Sequence, residues 1–207
     1  METTASDATQ PGAASTAKTS FYSSLAQAIY TLYGDYEKGN RATLAALRKA
    51  AGKSPEKDPM AWSYALGLLP HFAYEGRGDT ANEAETAAFT AFTLYALHQR
   101  SLSRPMHQPN RSLGTAVAEL TVASNSKSVK SRLDTLMLAR TQAATHYHLR
   151  SLVNLLHAHE IPLDYAQLGS DLWNLARPAK CQGVILRWGR DYASAIWKTA
   201  SSSEPSV

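Results

Sequence analysis

The sequence holds one cysteine, Cys181, among 207 residues, so no internal disulfide can form and a reducing cytoplasm is the expected setting. No run approaches the roughly 20 apolar residues that cross a membrane. The first twenty residues, METTASDATQPGAASTAKTS, lack the apolar segment of a secretion signal. Their Ala, Ser and Thr content predicts a disordered arm over 1–19, and SSSEPSV predicts a flexible tail over 201–207. No stretch alternates with period two, which excludes strands, and no fixed-length repeat is present.

Several chemistries are missing as well. There is no Gly-x-Ser-x-Gly elbow and no Gly-rich phosphate loop. Cys181 follows Pro-Ala-Lys with no local signature of a thiol nucleophile. Asp164 and Asp171 are seven apart with no acid beside either, and Asp164 reads as a helix cap. The run THYHLRSLVNLLHAHEIPLDY (145–165) contains His146, His148, His157 and His159. On a helix His146 and His157 share one face and His148 and His159 roughly the opposite one, each pair about 16 Å apart along the axis. A zinc helix places its histidines four apart with an acid between. No catalytic residue, metal or cofactor is expected.

What is present is helix. Hydrophobic residues make up 44% of the chain, enough for a sizeable core. Phe21, Leu25, Ile29, Leu32 and Tyr36 recur at three- and four-residue steps. Gly39 ends that helix, and Asn40 is placed to cap RATLAALRKAAG, which Gly52 stops. A short helix between Pro59 and Pro70 follows, then a long alanine-rich one through TANEAETAAFTAFTLYALHQR with Phe89, Phe92 and Tyr95 inside. SLSRPMHQPNR (101–111) is either a mobile loop or a boundary between two helical lobes. Ser112 caps LGTAVAELTVA, and further helices are expected near 127–140, 142–159 (capped by Thr141), 164–176 and 183–200. The expected architecture is an all-α helical bundle over 20–200.

Net charge is only +4, but it is unevenly placed. Between Arg100 and Arg150 eight basic residues face two acids, whereas 75–85 holds four acids and Arg77. Such asymmetry suits either a surface that meets a polyanion or an ordinary solvated one. Arg41 and Arg48 are seven apart and share a helix face, with Lys49 and Lys53 beside them. Arg111 precedes Ser112-Leu113-Gly114 at a helix start, which is either a phosphate seat or a plain cap. Lys127, Lys130 and Asp134 lie opposite Val129, Leu133 and Leu136. Arg150 shares the face of His146 and His157. Arg187 and Asp191 are four apart and able to pair. Trp188 suits base stacking or, more commonly, a core.

Five stretches together carry a resemblance: NRATLAALRKAAG (40–52), TLYALHQ (93–99), SLG (112–114), HLRSLVNLLHAHEIPLDYAQLGSDLW (148–173) and RWGRDY (187–192). In order and spacing they resemble the CasB family, the small subunit of the type I-E CRISPR Cascade complex, from about residue 21 to 197. The resemblance implies an all-helical, non-catalytic subunit of antiviral defence. Its implied partners are CRISPR RNA, the target and displaced DNA strands, the large and backbone subunits, and a second copy of itself. The contacts it implies fall on Arg41, Arg48, Lys49, Arg111, Arg132, Arg140 and Arg150, and the basic residues Lys53, Arg100, Lys127, Lys130 and Arg187 join them as nucleic-acid-binding candidates on charge and position alone. Two other readings stand on the residues alone: a helical protein–protein adaptor without nucleic-acid binding, and a metal-dependent hydrolase using the histidines.

Overall fold

Helix α4 (Glu83–His98) is buried along almost its whole length, and helices from both halves of the chain pack against it. The structure is a computed structural model that describes residues 20–69 and 78–202. The arm at 1–19, the stretch 70–77 with Pro70 and Glu75, and residues 203–207 lie outside the described residues. In chain order the remaining helices are α1 (Phe21–Glu37), α2 (Ala42–Lys49), α3 (Pro59–Gly67), α5 (Leu113–Ser124), α6 (Lys127–Met137), α7 (Gln142–Ala158), α8 (Tyr165–Leu175) and α9 (Pro178–Ser202). Among the described residues no strand forms, and one isolated bridge joins His107 to Leu163. The all-α expectation is met, and no described helix is long and apolar enough to cross a membrane.

The sequence explains why α4 can be central. Ala87, Ala88, Ala91 and Ala96 let neighbouring helices come close, and Phe89, Phe92 and Tyr95 fill the space between them. Its N-terminus is closed by a capping box, with the Asn82 side chain on the Glu85 amide and the Glu85 side chain on the Asn82 amide. Helices α2, α7 and α8 pack on α4, while α1 lies on α8, α6 on α7, and α5 on α9. Two glycines set the closest approaches. At Gly169 a methyl group would meet Leu25 of α1 and Ala91 of α4, and at Gly114 it would run into the Trp188 carbonyl and lie 2.9 Å from the Tyr192 amide.

The stretch 99–112 is held by hydrogen bonds. The Gln99 side chain donates to the Leu102 and Arg104 carbonyls (both 2.9 Å) and accepts from the Met106 amide (2.8 Å). Asp164 caps α8 at the Gln167 amide and also accepts from Tyr22 Oη (3.0 Å) and the Asn110 amide (2.9 Å). One carboxylate thereby ties α1, the 99–112 segment and α8 together. Asp171 does the same for α8 and α9, accepting from Gln167, Arg187 and Trp188 Nε1 (2.6 Å). Burial pushes the Asp171 carboxyl up, opposed by these donors.

The structure corrects several local expectations. Asn40 does not cap α2; its amide bonds the Asp35 carbonyl while Gly39, at φ +85°, bonds Tyr36, so both residues close α1 instead. Arg41 takes the N-cap position without a side-chain bond. Helix α9 begins at Pro178 rather than near 183, because a proline in the first turn gives up an amide that had no helical partner. It runs to Ser202, into the stretch read as tail. Arg187 pairs with Asp171, not Asp191. Of the two readings of Trp188 the core is the one found, since its side chain is fully buried.

Among the described residues three histidines are held below their usual range by burial: His98, brought down to about 3, His107, where Asp164 opposes the effect, and His146. Each binds a proton more readily in the unfolded chain, so stability is full above the ordinary value of 6.5 and falls as pH drops below it. Thermal melting should therefore show marked destabilisation between pH 7 and 5. From His98 alone the loss at pH 5 is about 2 kcal/mol, and a flat melting temperature over that range would contradict the assignment. Gly114→Ala should force α5 from α9 and cost about 3 kcal/mol in urea denaturation, whereas alanine at the unobstructed Gly183 should not destabilise the fold.

Candidate nucleic-acid interface

Helix α2 is short and lies at the surface, with Leu44 and Leu47 turned into the core. That orientation leaves Arg41, Arg48 and Lys49 exposed. Gly52, at φ +88°, turns the chain sharply after it. Beside α2 the C-terminal end of α4 reaches the surface and presents Arg100. Together with Tyr36, Leu44 and Gln99, the guanidinium-bearing residues Arg41, Arg48 and Arg100 line one recess of about 160 Å³. Arg41 lies over the Tyr36 ring at 5.1 Å. Arg100 Nε donates to His157 Nε2 of α7 at 3.2 Å.

The basic surface continues along α7. Arg150 packs beside Gly52, close enough that a Cβ there would stand 3.3 Å from Nη1. Arg132 of α6 donates to Ser151 Oγ, the neighbour of Arg150, at 2.9 Å. Among the described residues, none of Arg41, Arg48, Lys49, Arg100, Arg132 or Arg150 has a carboxylate within ion-pair distance. Asp58 lies close enough to Lys49 to feel its charge, but cations gathered without paired carboxylates leave a net positive field, which attracts polyanions.

The other sequence candidates are placed differently. Lys53 pairs with Asp58 at 2.7 Å, and Lys130 with Asp134 one turn on. Arg187 pairs with the buried Asp171. Arg111 does not present a phosphate seat: it is half-buried, paired with Glu119 and bonded to Gln108 at 3.1 Å. The cap amide at Thr115 is already taken by Ser112 Oγ. Glu119 lies two helical turns beyond Arg111, and nothing in the local sequence shows that the chain folds the two together. Arg140 is exposed at the rim of a separate cavity of about 560 Å³, between the α6–α7 turn and α4, α8 and α9. Lys127 opens α6, and its side chain lies outside the description.

The histidines do not converge. His146 and His157 both face α4, as their shared helix face predicts, but His146 bonds Thr90 Oγ1 at 3.1 Å while His157 bonds the His98 carbonyl at 2.9 Å. Among the described residues no group of three or more His, Cys, Asp or Glu side chains could hold a metal. Sequence reasoning missed Tyr36 and His157 as supports of the basic recess. Tyr36 was read only as an apolar helix position, and no spacing rule links residue 157 to residue 100.

Over residues 43–192 the chain matches the family of CRISPR-associated protein Cse2. It is similar to CasB from Thermobifida fusca, with 31% identity and a TM-score of 0.69, covering 83% of this chain and 97% of that one. A Cse2-family CRISPR-associated protein from Thermus thermophilus is 27% identical with a TM-score of 0.64, covering 84% and 98%. A chain of a CRISPR RNA-guided surveillance complex shares the fold at a TM-score of 0.71 and 20% identity, covering 89% of this chain and all of that one. Among curated proteins no match is found. The matched stretch runs from α2 into α9 and takes in Arg48, Arg100, Arg132 and Arg150. With most of its length so matched, the chain belongs to the Cse2 family of CRISPR-associated proteins.

Proposed function

We propose that this chain is a non-catalytic small subunit of a type I-E CRISPR RNA-guided surveillance complex, acting in the cytoplasm. In this reading its basic surface holds nucleic-acid backbone, the displaced DNA strand or the guide–target region, and so stabilises the R-loop. Family membership supports the setting. The observation that carries the role is the grouping of Arg41, Arg48 and Arg100 around one recess, extended by Arg150 and Arg132. Base pairing reads sequence in such systems, and R-loop formation is close to balanced, so a few phosphate contacts are enough to tip it. Spread cations rather than an enclosed pocket give binding that tolerates sequence and weakens with salt.

A subunit of this kind also meets proteins: the large and backbone subunits and a second copy of itself. Exposed apolar residues on α9, Leu186 at 54% and Trp197 at 75%, favour such contacts. Those same residues favour the second reading, a helical adaptor that binds proteins alone.

The two readings separate in the assembled complex. Arg48→Ala, Arg100→Ala and Arg150→Ala should each weaken target-DNA binding. Each should also flatten the plot of log affinity against log salt by about 0.7 per lost single-strand phosphate contact. Lys180→Ala, at an exposed position on α9 away from the recess, should leave both unchanged, and thermal melting should show all four variants folded. If the three arginine variants bind DNA with unaltered affinity and slope, the adaptor reading replaces this one.

A further inference from the structure

His157 is a titratable side chain inside the basic surface, and its two ring nitrogens have different duties. Nδ1 lies 2.9 Å from the His98 carbonyl oxygen. A carbonyl only accepts, so Nδ1 carries a proton. Arg100 Nε lies 3.2 Å from Nε2. A guanidinium only donates, so Nε2 offers a lone pair. The two contacts together select one state, a neutral imidazole protonated at Nδ1. The His98 carbonyl is one of the last four of α4, which lack partners within the helix.

We infer that His157 is a positioning residue: as a neutral ring anchored on the His98 carbonyl, it holds Arg100 in the recess with Arg41 and Arg48. Occupying Nε leaves both terminal Nη groups of Arg100 available to a phosphate, the fork that arginine uses for bidentate contacts. An unanchored arginine gives up more side-chain entropy on binding than one already held. His98, with its ring centroid 6.3 Å away, is itself buried, and burial brings its pKa down to about 3. Just past the end of α4 the cation that touches the ring is Arg100, and Arg41 and Arg48, of the α2 side, line the recess with Arg100. In the following loop Arg104 is paired with Glu160, beyond the end of α7, and Arg150 stands on α7 itself. A proton on Nε2 would remove the acceptor and set a second positive charge against Arg100.

This inference rests on the reading of the basic surface as a backbone-binding site, and a double-mutant cycle in the assembled complex with target DNA tests the two separately. His157→Asn keeps a donor toward the His98 carbonyl and removes the acceptor facing Arg100. It should lower target affinity about 3- to 10-fold when Arg100 is present and less than about twofold in the Arg100→Ala background. If Arg100→Ala weakens binding but His157→Asn costs the same in both backgrounds, or nothing in either, His157 does not act through Arg100. If Arg100→Ala and Arg48→Ala both leave affinity unchanged, the backbone-binding reading itself fails and the inference fails with it. Nitrogen NMR of the folded full-length chain at neutral pH gives a check independent of DNA. Nδ1 should be protonated and Nε2 bare, and a proton on Nε2 would overturn the assignment.

Discussion

The structure depends on a helix that meets solvent only in its first turn. Thirteen of the sixteen residues of α4 are buried, so its polar backbone is satisfied within the helix and its flanks must accept other helices directly. Alanine on those flanks makes the close approaches feasible, and aromatic residues between them supply the contact area. Burial also decides the chemistry at the end of the helix. His98 and Gln99 are still inside, and Arg100 is the first cation to reach solvent. The basic recess lies where it does because α4 emerges there, beside a short α2 whose outer face is left free.

The polar links are few and each does several things. Asp164 caps a helix and ties α1 and the 99–112 segment to it. Asp171 holds α8 to α9 through Arg187 and Trp188. Buried carboxylates of this kind are costly to leave unpaired, so each is surrounded by donors. That requirement also sorts the arginines. Arg187 and Arg111 are drawn into pairs with Asp171 and Glu119, while those at the end of α4, on α7 and at the start of and within α2 form no carboxylate pair among the described residues.

Much of the helix pattern was legible from local rules. Ser112, Thr141 and Asp164 cap where the sequence places them, because an N-cap is a contact over three residues. The break at Gly39 was also legible, but Asn40 was misassigned. The same short stretch closes one helix and opens the next, and only the observed amide bonds show which claim prevails. The scattering of the four histidines followed from helical geometry alone. Their actual partners, Thr90 and the end of α4, did not, since those contacts span more than fifty residues.

The sequence by itself determined the all-helical class, most helix positions, the absence of a metal-binding histidine pair on one helix turn, and the concentration of positive charge between residues 100 and 150. These properties are set by contacts over a few residues or by composition. Only the tertiary structure decided which cations are available and which are paired. It brought Arg41, Arg48 and Arg100 around one recess, set Arg150 against Gly52, and committed Arg111 and Arg187 to carboxylates. Charge pairing acts over a few ångströms of space, and sequence separation gives no measure of that distance.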